Sequence, residues 1–243
     1  MLLALDTSTL SLSMALLEGE AVVDQLIVGP PQRQSDVLPG LIQERLKLHG
    51  VALEKLRGFV VGLGPGSFTG LRIGLSTLKG LAYALERPLV GVSSLAALAL
   101  EGPLEVELFC AAVVKRGELY LGRYQRSSER VVTALAPETS LTVAAFAEAL
   151  SQRPAARAIG PALPDYRAQL LAHGVDPRQL LDGPVVPSAV ALARLATVPD
   201  RYDAQALFAL EPHYLRGSGA EENPKFPPLP GVEPRARLKE DEP

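Results

Sequence analysis

Six glycines fall within nineteen residues, at positions 62, 64, 66, 70, 74 and 80. They follow an apolar, β-branched segment, Gly58–Gly62, and lead into a long apolar-striped segment that opens at Ser67. The segment before them has the length and composition of a buried strand. The segment after them repeats its apolar residues at helical spacing, through Phe68, Leu71, Leu75, Leu78, Ala82 and Leu85. The unit is therefore strand, glycine-rich turn, helix. In α/β proteins such a turn presents helix N-terminal N–H groups, which suit an anion or a partner.

The spacing excludes the two familiar phosphate loops. A P-loop needs a second glycine followed by Lys and Ser or Thr, but Gly62 is followed at that position by Ser67 and Gly66 by Leu71. The dinucleotide pattern needs a third glycine at 69, where Thr69 stands. Beyond the turn, Gly70, Gly74, Thr77 and Leu81 share a second helix face. Glycine inside a helix costs about 0.5–1 kcal/mol against alanine. Two of them four residues apart predict a flat face for close helix approach. That partner is either the neighbouring helix 36–49 or another subunit, with Ile73 as a knob beside the groove.

The rest of the chain sets this unit in a repeated order. Leu2–Leu5, Ser11–Leu17 and Ala21–Val28 read as a three-strand meander, broken by Gly29-Pro30-Pro31. A helix follows, with Ser35 or Asp36 as its cap and Leu38, Leu41, Ile42 and Leu46 as its stripe. Then come the strand at 59–61, the helix from Phe68 to about Leu85, a short strand at Leu89–Val92, and a helix capped by Ser93 or Ser94. After Gly102-Pro103 the order returns. Strands are expected at Glu107–Val114, Glu118–Tyr124 and Val131–Leu135. A helix at 142–150, a strand at Ala156–Ile159 and a helix at Pro164–Ala172 follow. Further short segments lie at Ser188–Thr197 and Asp203–Leu210. Both halves read βββαβα. The expected organisation is a first half over 1–103, a second over 104–216, and a Pro-rich tail over 217–243 that is extended or disordered. This is the layout of the actin-like, Hsp70-like and sugar-kinase superfamily, in which two halves face each other across a nucleotide cleft.

Composition narrows the chemistry. The net charge is −3, which gives no general pull toward nucleic acid. Cys110 is the single cysteine, so there is no internal disulfide and no cysteine metal framework. His49, His173 and His213 are the three histidines, and they are too scattered for a histidine metal motif. There is no Gly-x-Ser-x-Gly elbow. Met1–Asp6 reaches a carboxylate after four apolar residues, which argues against a signal peptide. No apolar run approaches membrane-spanning length. A cytoplasmic protein is expected. At the first strand end, Asp6, Thr7 and Ser8 either cradle phosphate, with Asp6 holding a metal through water, or cap their own hairpin. Lys115, Arg116, Arg123, Arg126 and Arg130 form either a solvated hairpin rim or an RNA or partner contact.

Four segments carry a family resemblance: Met1–Thr9, Gly64–Gly74 (GPGSFTGLRIG), Gly91–Leu95 and Glu211–Arg216. They resemble the TsaB (YeaZ) family, bacterial proteins needed to make threonylcarbamoyladenosine beside the tRNA anticodon. The resemblance is strong over 1–103 and looser over 105–216. It implies an actin-like fold and an accessory role. It implies a non-catalytic paralogue of the transferase TsaD, which it would bind and activate together with the ATPase TsaE. It implies no intrinsic cofactor, with ATP and magnesium used by the partner complex, and tRNA engaged through that complex. The partner interface would lie on Gly66, Ser67, Phe68, Thr69, Gly70, Ile73, Gly74 and Thr77, and would serve a homodimer when the transferase is absent. A competing reading is a small actin-like ATPase or kinase using Asp6, Thr7 and Ser8. Related sequences are also called glycoprotease-like, yet nothing in this chain supplies a protease's chemistry. Two positions depart from the family pattern: Arg33 stands where a histidine is frequent, and Val113 where an aspartate is expected.

Overall fold

A computed structural model describes residues 1–29, 34–115, 117–183 and 186–215. Arg33, Arg116 and the tail expected over 217–243 lie outside them. The first sheet is built from β1 (Leu2–Asp6), β2 (Leu12–Glu18), β3 (Ala21–Val28), β4 (Gly58–Gly62) and β5 (Leu89–Val92). Its order is β3-β2-β1-β4-β5. The meander pairs antiparallel, and β1–β4 and β4–β5 pair parallel. The second sheet uses β6 (Glu107–Lys115), β7 (Glu118–Arg126), β8 (Val132–Thr142) and β9 (Arg157–Ile159). It repeats the order as β8-β7-β6-β9, and β9 is again parallel to the strand that opens the meander. The place of a fifth strand is reduced to one bridge, Ala158 to Leu180. The chain thus has the two-fold-repeated actin-like arrangement.

Strand alternation fixes the layers. On β1, Leu3 and Leu5 face an outer core with α1 (Gln34–Leu48), α2 (Phe68–Leu85) and α7 (Ala204–Ala209), while Ala4 faces inward. On β6, Phe109 and Ala111 face α4 (Val143–Ser151) and α5 (Leu163–Ala172), while Leu108, Cys110 and Ala112 face inward. Between the sheets lie α3 (Ser94–Leu100) and α6 (Ala189–Leu195). The inward faces are small on the first sheet, with Ala4, Ala15 and Val60. A helix can therefore approach that sheet closely. Residues 188–215, placed with the second half on sequence, return to the first half, α6 onto its sheet and α7 onto α2.

Two expectations are corrected. The first helix begins at Gln34, so Ser35 and Asp36 lie inside its first turn and neither is the cap. The third strand of the second sheet runs from Val132 to Thr142 instead of stopping at Leu135. It contains Pro137, whose missing N–H is tolerated because β8 is an edge strand. The long helix keeps its expected bounds. Ser67 caps it by accepting the Gly70 N–H at 3.2 Å, and Leu71, Leu75, Leu78 and Ala82 are its buried stripe. It ends without a glycine, on Glu86 in the left-handed region (φ 50°). Among the described residues, no helix is long and apolar enough to cross a membrane.

Candidate functional site

The parallel pairing of β1 with β4 places the end of the first strand beside the glycine-rich turn. Asp6 is fully buried there. Its Oδ1 accepts from the Ser8 N–H at 2.9 Å and the Ser8 hydroxyl at 2.6 Å. Its Oδ2 accepts from the Ser94 hydroxyl at 2.6 Å. Burial raises the Asp6 carboxyl above its ordinary value, and the hydrogen bonds from Ser8 and Ser94 oppose that rise. Ser94 Oγ also accepts the Gly64 N–H at 3.1 Å, and the Ser94 N–H donates to the Gly64 carbonyl at 2.8 Å. One serine thereby joins the carboxylate to the glycine turn. Ser93 supplies the α3 cap instead, accepting from Leu95 and Ala96.

The glycines are explained by this knot. A Cβ on Gly62 would lie 1.9 Å from Asp6 Oδ2, and one on Gly66 would lie 2.2 Å from the Ser8 carbonyl. Gly64 takes φ +87°, a conformation that side chains rarely adopt. The Ser67 N–H donates to the Ser8 carbonyl at 2.7 Å. Thr7, also fully buried, donates from Oγ1 to the Gly70 carbonyl at 2.8 Å. A Cβ on Gly74 would lie 2.2 Å from that same Oγ1. The turn and the first helix turns are therefore moulded around Asp6, Thr7 and Ser8.

This corrects two readings. Gly70 and Gly74 are buried against the chain's own first strand and do not form an open docking face. Asp6, Thr7 and Ser8 do not form a phosphate or metal cradle, because both Asp6 oxygens are taken by Ser8 and Ser94 and the glycine turn fills the space beside them. The residues present do not fit a nucleotide at this strand end. Ser8 is 4% exposed, and its carbonyl and hydroxyl are both engaged inside the chain. The reading that survives is the hairpin capping itself. No group of three metal-ligating side chains occurs among the described residues.

The outer side of α2 is different. Thr69, Arg72, Ser76, Gly80, Tyr83 and Ala84 are exposed, while Gly66, Ser67, Phe68, Ile73 and Thr77 are half-buried. Ile73 packs on the outer core. A Cβ on Gly80 would meet nothing within 4 Å, so the described residues give no reason for that glycine. At the C-terminal end of the helix, Tyr83 stacks on Phe208 with centroids 5.6 Å apart, and both rings are largely exposed.

Sequence reading missed a second polar cluster, at the seam between the sheets. Glu138 of β8 accepts short hydrogen bonds from the Tyr124 and Ser93 hydroxyls. Its other oxygen, Oε2, accepts no hydrogen bond from the described residues and lies 2.9 Å from His213 Nδ1, an ion pair when the imidazole is protonated. Burial and the Glu138 charge push the Tyr124 phenol well up. The available signal was the Glu211–Arg216 motif, whose histidine reaches this seam. Among the arginines of the basic rim, Arg123 pairs with Glu107, Arg126 bonds the Gly102 and Ser128 carbonyls, and Arg130 pairs with Glu20. Val113, at the expected aspartate position, is 38% exposed.

The chain matches the family model described as "TsaD: tRNA N6-adenosine threonylcarbamoyltransferase" over residues 32–163. The tRNA threonylcarbamoyladenosine biosynthesis protein TsaB of Escherichia coli is 34% identical over 134 residues, which cover 54% of this chain and 57% of that protein. TsaB of Bacillus subtilis is 33% identical over 156 residues, covering 63% and 66% respectively. The chain thus matches less than two thirds of the length of these two relatives. Its backbone resembles that of a Pseudomonas aeruginosa protein described as uncharacterized with similarity to peptidase YeaZ. The TM-score is 0.73 at 29% identity, over 88% of this chain and 99% of that one. The long glycine-turn helix, the doubled sheet order and these matches agree: the chain belongs to the TsaB (YeaZ) family.

Proposed function

We propose that this protein is a non-catalytic accessory subunit in the formation of threonylcarbamoyladenosine beside the tRNA anticodon. In this reading it binds and activates a TsaD-like transferase, a TsaE-like ATPase joins the assembly, and ATP with magnesium is used by those partners. The tRNA is met through the complex. In the absence of the transferase, the same face pairs two copies of this chain. The names of the relatives support the pathway. The observation that carries the accessory role is Asp6, a buried strand-end carboxylate in an actin-like fold, both of whose oxygens accept hydrogen bonds from Ser8 and Ser94.

The docking face is the exposed stripe Thr69, Arg72, Ser76 and Gly80, edged by Ile73 and Thr77, in place of the buried Gly70 and Gly74. A helix-interior glycine for which the described residues give no reason supports it. The decisive experiment reconstitutes threonylcarbamoyl transfer to tRNA from purified transferase and ATPase, with and without this chain. Wild type is expected to restore the reaction, and Gly80→Arg is expected to fold normally yet lose transferase binding and activation. Binding and activation by Gly80→Arg equal to wild type would remove the interface. Full modification without this chain would remove the accessory role.

A further inference from the structure

The last described segment, Leu210–Leu215, joins three parts of the molecule within a few residues. Leu210 lies beside Leu63 and Gly91, in the turn region of the first sheet. The His213 N–H donates to the Leu63 carbonyl at 2.8 Å. From that anchored peptide two neighbouring side chains diverge. His213 Nδ1 reaches Glu138 Oε2 of the second sheet at 2.9 Å. Tyr214 turns to the first helix turn of α2, with its ring centroid 5.1 Å from that of Phe68. Arg72 Nε donates to the Tyr214 hydroxyl at 3.0 Å, and its guanidinium lies 4.0 Å over the Phe68 ring. Leu215 then packs on the core formed by α3 and the second sheet.

The far contacts are anchored in their turn. Glu138 is 7% exposed at its side chain. It accepts from the Tyr124 hydroxyl on β7 and from the Ser93 hydroxyl that caps α3, and the buried Cys110 thiol of β6 feels its charge. His213 is the one basic side chain within ion-pair distance of Glu138 among the described residues. A buried carboxylate oxygen is costly when it loses the one polar neighbour it has among the described residues. The two side chains sit on adjacent residues, beside the His213 N–H bond to Leu63 and the Tyr214 N–H bond to the Pro212 carbonyl, so displacement of either pulls on the other.

We propose that Leu210–Leu215 is a clasp that couples the seam between the sheets to the first turn of α2. Closing the His213–Glu138 pair holds Tyr214 on Phe68 and Arg72 and orders the start of the helix. Loosening that aromatic contact frees the carboxylate. Its consequence for partner docking rests on the α2 reading above, but the clasp itself does not.

Coupling of this kind is reciprocal, and that makes it testable on the isolated full chain by hydrogen exchange. His213→Ala touches only the seam side, and Arg72→Ala only the helix side. His213→Ala is expected to speed amide exchange at Leu71–Leu75 by about tenfold, some 1.4 kcal/mol of opening free energy. Arg72→Ala is expected to speed exchange on either side of Glu138 in β8 by a similar factor. Glu138→Gln, which keeps the shape and removes the charge, is expected to act like His213→Ala. Lys79→Ala removes only the bond to the Phe208 carbonyl upstream and is expected to leave both regions unchanged. Effects confined to each variant's own side would overturn the clasp. So would acceleration of both regions by Lys79→Ala, which would mean general loosening.

Discussion

The Thr7 hydroxyl stands 2.8 Å from the Gly70 carbonyl, 63 residues further along the chain, on the spot where a side chain at Gly74 would have to go. A short, fully buried threonine cannot swing clear of a new methyl group. Gly74→Ala is therefore expected to destabilise the fold by about 1–3 kcal/mol through overpacking, despite the better helix propensity of alanine. Urea titration measures it. Thr7→Ala in the same chain removes the clashing oxygen and is expected to recover part of the loss. Recovery in the double variant tests the contact itself, because independent sites would simply add.

Asp6 gives a prediction with a definite sign. Burial raises its folded-state value above the ordinary 3.8. The native state then takes up a proton at higher pH than the unfolded chain does. The ionised group therefore costs native stability at neutral pH, and the cost fades as pH falls through the raised value toward 3.8. Asp6→Asn carries no such dependence. The stability difference between wild type and Asp6→Asn is expected to move toward wild type on acidification. Carboxyl NMR is expected to place the Asp6 midpoint above 3.8. A midpoint at or below 3.8 would mean that Ser8 and Ser94 outweigh burial.

These two residues also show where sequence reading succeeds and where it stops. The strand, turn and helix around Gly62–Gly80 were legible because burial stripes and breakers are local signals. The doubled element order was legible for the same reason. The roles of Gly70 and Gly74 were not. A glycine reports that something approaches closely, and only the β1–β4 pairing reveals that the neighbour is Thr7. Ser94 was visible as a possible cap, yet its bond to Asp6 spans 88 residues. The strand expected at Val131–Leu135 fell short of Thr142, because the sequence does not say that β8 is an edge that tolerates Pro137. Glu138 left no local mark, since it stands in an alternating polar strand and gains its meaning from Tyr124, Ser93 and His213.

Cys110 is fully buried between α3 and the second sheet, and burial with the Glu138 charge pushes its thiol well above the ordinary range. Thiolate is the reactive form. Native protein at pH 8 is expected to leave a disulfide-exchange reagent unreacted over many minutes, and to release one equivalent rapidly once denatured. A fast stoichiometric reaction in the folded state would contradict the packing of β6 against α3.

Gly80 supplies the opposite test to Gly74 on the same helix. It is exposed, its φ is helical, and a Cβ there meets nothing within 4 Å. Gly80→Ala is expected to stabilise the isolated chain by about 0.5–1 kcal/mol, the gain from restricting a glycine in a helix interior. The urea midpoint is expected to rise while the denaturant slope stays constant. If the exposed stripe is where another helix lies close, that gain is offset in the complex, and calorimetric titration is expected to show weaker transferase binding by Gly80→Ala and weaker still by Gly80→Arg. Stability and binding would then move in opposite directions at one residue, which neither a packing defect nor general unfolding produces.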